Sequence, residues 1–280
     1  MRSIGILKNQ KEPFHWRTAI SYKTRDEINV RGYDLNELTG NLDFASMVHL
    51  VLKGELPDDP CVKMINAIMV SFCEHAFSPS SVSSRFVASG GVPLNTAVAG
   101  GMLTMGERHA SADIPAQMFQ AAVLQADKKG LSLNEMAEKM VREYRAEKKI
   151  LNGYHHPQHI RDPRVDRLCE LAAEYGIQGP HQQLAHAIQD ATGRYYSRTL
   201  YLNAPGIMAA ILSDMDFTPG QIKGLAILSR TVSLVAHSLE EQDREKAWRG
   251  SGNSEITQPL DLSLQSPEYY DGPGKRSLEE

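Results

Sequence analysis

Apolar residues recur at every third or fourth position over much of this 280-residue chain, and the longest such stripes predict its helices. Val62, Ile65, Met69, Phe72 and Ala76 make one stripe, which ends near His75. Ile222, Leu225, Leu228, Val232, Val235 and Leu239 make a cleaner one behind the helix-start signal Thr218-Pro219. Between Ala97 and Leu103 the small residues Ala97, Ala99, Gly100 and Gly101 alternate with Val98, Met102 and Leu103. That pattern predicts a helix approached closely on several sides, at the centre of the core. Met118, Ala122, Leu133, Met136, Met140 and Tyr144 predict two further helices over 114–150, split at Lys129-Gly130. Two more are expected over about 164–176 and 181–193, with a break at Gly179-Pro180. No run of alternating strands with hairpin turns and no internal repeat is visible, so the fold class is all-α. Beyond about Gly250 the chain is rich in Ser, Pro, Gly and Asp and lacks periodicity, which reads as a wrapping arm or a disordered tail.

Composition narrows the function classes. With 41% hydrophobic and 23% charged residues and a formal net charge of −4, the chain is ordinary for a folded globular protein. A mildly acidic balance argues against bulk binding of nucleic acid or anionic membrane, so any bound anion must be met by local cations. The N-terminus opens no hydrophobic signal region, and no apolar run approaches the ~20 residues needed to cross a bilayer. A cytoplasmic, non-membrane protein is the expectation. Cys61, Cys73 and Cys169 are odd in number and widely spaced, which suggests structural thiols and neither a disulfide framework nor a zinc site.

The chemistry concentrates in Gly153-Tyr154-His155-His156-Pro157-Gln158-His159-Ile160-Arg161-Asp162-Pro163-Arg164, which gathers three imidazoles and two guanidinium groups. Imidazole exchanges a proton near neutrality and guanidinium binds carboxylate or phosphate through a planar fork, so a site for an anionic substrate is indicated. His109, between Met105-Gly106-Glu107-Arg108 and Ala110-Ser111-Ala112, reads as a helix-end histidine satisfied by a carbonyl or as a ligand with room beside it. His75 likewise reads as a cap, a core residue or a ligand. Arg230 shares a helix face with Ser233 and His237 and is either solvated or turned into a cleft. Arg244 and Arg249 belong to a mixed charge run over 240–249 that reads mostly as a solvated face. No metal site is indicated, because His155, His156 and His159 lack a matched carboxylate or thiol at ligand spacing. Ser89-Gly90-Gly91 lacks the pattern of a phosphate-binding loop.

Taken in order, several segments resemble the citrate synthase superfamily. Arg31-Gly32-Tyr33-Asp34-Leu35-Asn36-Glu37-Leu38 and Leu50-Val51-Leu52-Lys53-Gly54-Glu55-Leu56-Pro57 resemble its N-terminal signature. Glu74-His75-Ala76-Phe77-Ser78-Pro79-Ser80-Ser81 is similar to its substrate-histidine segment, and Gly106-Glu107-Arg108-His109-Ala110-Ser111-Ala112 to its first catalytic-histidine segment. The 153–164 loop resembles the second, and Ser229-Arg230-Thr231-Val232 with Ala236-His237 the late arginine helix. The similarity spans about residues 16–250. The short chain, and Pro157 directly after His156 with His159 two further on, are closer to the compact citryl-CoA lyase-like branch.

The resemblance implies an all-α, two-domain homodimer. Its large domain would be 1–114 with 221–280, its small domain 115–220, and its C-terminal arm 251–280. It implies no tightly bound cofactor, a coenzyme A thioester as substrate or product, and a polycarboxylate as the other small molecule. The implied reaction is cleavage of a citryl-CoA-like 3-hydroxyacyl-CoA to an acyl-CoA and an oxo acid, or the reverse condensation. The alternative is a catalytically impaired homologue that binds an acyl-CoA or polycarboxylate as a sensor or partner subunit; a third possibility is another acid–base reaction on a CoA thioester.

Carried over residue by residue, His109 would hydrogen-bond the thioester carbonyl and stabilise the enolate, and His156 would meet the hydroxyl or ketone and relay its proton. His75, Arg164 and Arg230 would hold carboxylates, with Arg249 reaching across the dimer. Three departures stand out. The family's catalytic aspartate, aligned without gaps from Arg230, falls on Pro205, which transfers no proton; Asp214 and Asp216 are nine and eleven residues later. His155 stands where the family has glycine, with one residue fewer before Asp162-Pro163-Arg164, and Ala110-Ser111 replace a glycine pair. His155 or water is the expected replacement for the lost carboxylate.

Overall fold

Three short strands open the described part of the chain: β1 (Ser21–Lys23), β2 (Ile28–Val30) and β3 (Tyr33–Asp34), an antiparallel sheet in that order. At two or three residues each they are too short for the alternation that reveals a strand in sequence, so the periodicity does not predict them. This computed structural model describes residues 16–249 and 277. The arm expected over 251–280 lies outside the described residues, Ser277 aside. The chain divides into two compact units, Met1–Asn66 and Ala67–Glu280.

In the first unit the signature segment 31–38 becomes a turn, β3 and the short helix α1 (Leu35–Leu38). Arg31 donates from Nε and Nη2 to the Val51 carbonyl at 3.1 and 2.7 Å, which ties the turn to α2 (Phe44–Lys53). Asp34 and Asp43 cap the two helices by accepting the amides of Asn36 and Ser46. Val30, Leu38 and Leu50 form the buried cluster between them.

Helix α3 (Asp59–Cys73) leads onward, with Met64, Ile65, Ile68 and Phe72 buried. In the second unit α4 (Pro79–Ala88) and α5 (Leu94–Met102) pack on each other and on α11 (Pro219–Arg244). Around α10 (Ala204–Asp214) lie α6 (Asp113–Lys129), α8 (Pro163–Glu174) and α9 (Pro180–Tyr195), and α7 (Leu133–Ala146) packs on α9. The helices over 113–195 follow the sequence expectation closely. Among the described residues no helix is long and apolar enough to cross a membrane.

The periodicity passes over α4 because its buried side is polar: Ser80, Ser81, Ser84 and Arg85 precede Ala88. Serine is small enough for α5 to approach. A Cβ added to Gly101 would stand 2.7 Å from the Ser80 carbonyl oxygen and 3.0 Å from Ser84 Cβ, so only glycine fits. The small-residue helix is thus approached closely, as its sequence predicts, but it is not the centre of the core. Leu103 at its end is 88% exposed, whereas α10 buries every residue from Gly206 to Ser213. Burying Ile207, Met208, Ile211 and Leu212 contributes about 1.5–3 kcal/mol each.

On α11 the structure corrects the predicted stripe. Ile222 and Leu225 are buried, but Leu228, Val232 and Leu239 are exposed, and Ser229, Arg230, Ser233, Leu234, Ser238 and Glu241 face inward instead. The reason is electrostatic as much as apolar. Arg85 on α4 donates from Nε to Glu241 at 2.7 Å and from Nη1 to Glu240 at 2.6 Å, and a buried carboxylate must be paired to persist.

Candidate active site

A cleft of about 420 Å³ opens in the second unit, lined by His75, His109, His155, His156, Arg164 and Arg230 with Glu107, Asn203 and Pro205 among their neighbours. Its wall takes in the first turns of α4, α8 and α10, through Pro79, Arg164 and Pro205. Helix N-termini carry unpaired amides and partial positive charge, which favour an anion.

The loop of 153–155 is held to 201–203 like a short antiparallel pair. Tyr154 bridges Leu202, the His155 amide donates to the Tyr201 carbonyl at 2.7 Å, and Asn203 Nδ2 donates to the His155 carbonyl at 2.7 Å. A Cβ on Gly206 would run into the Gly153 carbonyl, so the backbones meet at a glycine. Asn203 also caps α10, accepting the Gly206 amide at 3.0 Å. Three non-glycine residues with left-handed φ each adjoin a cleft histidine: Ala76 (48°) after His75, Ala110 (55°) after His109, and His155 (65°) before His156. Such conformations cost about 1–3 kcal/mol and persist only where the surroundings enforce them. Two of them, Ala110 and His155, are positions where the family resemblance expects glycine.

Each imidazole has a distinct setting. His109 Nε2 lies 2.8 Å from Ser80 Oγ, and burial, with help from Arg230 and Lys223, holds the ring's pKa down to about 4. His156 is also lowered to about 4, chiefly by burial; Asp162 opposes the shift, and His159, His75 and Arg164 add to it. Its Nδ1 accepts the amides of Gln158 and His159 at 3.1 and 3.2 Å, which places the neutral ring's proton on Nε2. His75 meets His159 through their Nε2 atoms at 3.2 Å. Burial, Arg164 and His159 hold His75 below the usual imidazole value. The rings of His75, His109 and His156 are therefore neutral at pH 7.

The cations are equally differentiated. Arg164 grips Asp162 with Nε at 2.9 Å and Nη2 at 2.7 Å, and its guanidinium lies 5.6 Å from the centre of the Phe72 ring. Burial opposes ionisation of Asp162, but hydrogen bonds from Arg164 and the Ala204 amide pull its pKa down to about 2. Arg230 is only 4% exposed, and its Nε and Nη1 are buried without a hydrogen-bond partner among the described residues. Within its own chain the Arg249 guanidinium binds Glu241 and Glu245, two carboxylates one helical turn apart.

Pro205 lines the cleft in the first turn of α10. Asp214 is not in the lining: both its oxygens cap α9, accepting the His181 and Gln182 amides, His181 Nδ1 and Gln182 Nε2. Asp216 is not in the lining, where Glu107 is the single carboxylate among the described residues. Sequence reasoning singled out neither Ser80, Asn203 nor Glu107, and it gave His159 no role of its own in the substrate site. For Asn203 a signal existed, since Asn-x-Pro before an apolar run is a helix start. The Ser80 contact joins residues 29 apart and has none.

His75, His156 and His159 each bring a ring nitrogen within 4.8 Å of the others, a spacing that could admit a metal ion. The hydrogen bonds argue otherwise. With Nδ1 of His156 occupied by two amides, Nε2 bears the proton and offers no lone pair, the reverse of a metal-ligating histidine. Arg164 and Arg230 in the same cleft would also repel a dication. The trio suits a carboxylate.

A family model for the citrate synthase C-terminal domain matches residues 58–251. Among solved structures, citryl-CoA lyase from Hydrogenobacter thermophilus shares 34% identity over 94% of this chain and 98% of its own, with a TM-score of 0.78. ATP citrate lyase of Methanosaeta concilii, in complex with (3S)-citryl-CoA, is 19% identical over 91% of this chain and 43% of its own, with a TM-score of 0.71. Citrate synthase from Thermoplasma acidophilum, in a ternary complex with carboxymethyl coenzyme A and oxaloacetate, is 18% identical over 84% and 58% of the two chains, with a TM-score of 0.64. The last two share the fold. With a matching family model over most of its length and a full-length relative in the citryl-CoA lyase, this chain belongs to the citrate synthase family.

Proposed function

We propose that this chain cleaves a citryl-CoA-like 3-hydroxyacyl-CoA to an acyl-CoA and an oxo acid, and catalyses the reverse condensation. The observation that carries the reading is Arg230, a buried guanidinium at the cleft wall whose Nε and Nη1 lack partners among the described residues. A cation left so is costly unless a ligand supplies the acceptors, and a carboxylate does so with matching geometry. Arg164 and His75 complete a carboxylate-binding set on the same wall.

In the cleavage direction the bond to the hydroxyl-bearing carbon breaks and its electron pair passes to the thioester as an enolate. His109, with Ser80 at Nε2, offers Nδ1–H to that developing oxygen. A neutral imidazole is the form that can donate there without protonating the enolate outright. His156 Nε2–H donates to the hydroxyl oxygen, and the hydroxyl proton passes to water in the cleft as the ketone forms. The enolate carbon takes its proton from water or His155, since Pro205 supplies none. A coenzyme A thioester is thus substrate and product, and the polycarboxylate is its acyl part or the oxo acid released.

The division into a large domain (1–114 with 221–280) and a small one (115–220) belongs to this reading, as does a homodimer. The exposed Leu228, Val232 and Leu239 on α11 support the latter. Incubating the purified chain with citryl-CoA should release oxaloacetate above background. Pro205 favours a second reading, a binding homologue acting as a sensor: thermal stabilisation by CoA thioesters with no oxaloacetate formed would select it.

A further inference from the structure

We propose that Lys223 is a positioning residue that holds the His109 segment in the shape the reaction needs, an inference that rests on the lyase reading above. Residues 103–112 join α5 to α6 through turns. His109 sits in this connection, and Ala110 beside it has a left-handed φ of 55°. A residue with a Cβ leaves that conformation unless something holds it, and at this position the family resemblance expects glycine. Lys223, in the N-terminal part of α11, supplies the hold: its Nζ donates to the Ala110 carbonyl at 3.0 Å.

A neighbouring carboxylate shows where the lysine's hydrogen bond is directed. Asp113 Oδ1 lies 3.6 Å from the same Nζ, near enough for an ion pair and too far for a hydrogen bond. That oxygen is buried with no hydrogen-bond partner among the described residues. A lysine placed only to neutralise the acid would close the gap, because an unmade bond to a buried acceptor is costly. Nζ serves the strained carbonyl instead, and the lysine side chain is only 19% exposed, unusual for so strongly hydrated a group. His109 is thereby held from two sides. Its ring meets Ser80 on α4, and the backbone that follows it is tied to α11.

Two effects on His109 follow. Position comes first, since turning φ of Ala110 to negative values rotates the His109 backbone against α6 and draws the ring from Ser80. Charge comes second. Burial is the main reason this imidazole stays neutral, and Arg230, Lys223 and His75 add to it in that order. Removing the lysine therefore eases protonation of the ring whatever the shape of the loop, whereas the first effect depends on the residue at position 110. Glycine populates left-handed and right-handed φ about equally, so Ala110→Gly should make the loop largely independent of Lys223.

That dependence is the test. Lys223→Met is made in the native full-length chain and in the Ala110→Gly background, and citryl-CoA cleavage is measured at the alkaline plateau, where the ring is neutral in every variant. In the native background kcat should fall about tenfold or more with KM changed less than ~threefold. In the Ala110→Gly background the same substitution should lower kcat less than ~threefold. Crystal structures of the free proteins test the shape without any substrate: Lys223→Met should show Ala110 at negative φ and the contact between Ser80 and His109 lost. If Lys223→Met does not fold because Asp113 is left without its cation, Asp113→Asn is combined with it in both backgrounds. Equal losses in the two backgrounds, no loss in either, or an Ala110 φ that stays near 55° without the lysine overturns the proposal. A native protein that does not cleave citryl-CoA overturns the lyase reading and with it the effect on catalysis; the structures still decide whether Lys223 holds the loop.

Discussion

Ser80 Oγ stands 2.8 Å from Nε2 of His109, and Ser80 itself is fully buried. The hydroxyl comes from the polar face of α4 that closes on Gly101, so the same small residues that let α5 approach also give a cleft imidazole its hydrogen-bond partner. Ser80→Ala leaves Nε2 without that partner. The expected result is a fall in kcat of at least about tenfold with a stability loss of about 1–3 kcal/mol, read from citryl-CoA cleavage and urea unfolding.

Arg230 couples binding to instability. Because Nε and Nη1 have no partner within the described residues, Arg230→Met should leave the thermal midpoint unchanged or raise it. Two charge-assisted hydrogen bonds to a carboxylate are worth about 1.5–3 kcal/mol each, so oxaloacetate or citrate affinity should fall about a hundredfold or more in calorimetric titration.

Backbone strain beside the histidines is separable from their chemistry. Ala110→Gly and His155→Gly each relieve a left-handed φ and should stabilise the protein by about 1 kcal/mol, seen as a rise of about 2–4 °C in Tm. Only His155→Gly removes a candidate proton donor. A loss of cleavage confined to it would assign the side chain a part in the reaction.

Stability should fall as pH drops from about 6.5 towards 4. His109 and His156 have folded pKa values near 4 against 6.5 unfolded, so between those values the unfolded chain binds more protons and acid favours it. Asp162, folded near 2 against 3.8 unfolded, stabilises above 3.8 and loses that contribution only at lower pH. Urea midpoints should therefore show the histidine slope first, and His109→Gln should reduce it.

Pro205→Asp places a carboxylate at the first turn of α10, where a helix N-terminus tolerates an acid. If the rest of the site is in place, cleavage should rise by about tenfold or more. An unchanged rate would show that protonation of the enolate carbon has been reassigned to another group.

Much of this molecule is readable from local pattern alone. Helices α6 to α9 announce themselves through 3.6-residue periodicity, a glycine stop at Gly130 and the Asp162-Pro163 and Gly179-Pro180 starts, all of which act within a few residues. The identities of His75, His109, His156, Arg164 and Arg230 as a set follow from motif order. Local pattern failed where the buried face is not apolar. Helix α4 buries serines, and α11 turns Arg230 and Glu241 inward while Val232 stays exposed.

The sequence by itself determined which residue types are available and which segments coil, because propensity, capping and periodicity are properties of neighbours along the chain. Only the tertiary structure decided which group each imidazole meets. Ser80 meets His109 across 29 residues and His75 meets His159 across 84. A proton's position depends on such partners, and they come together only when the helices pack.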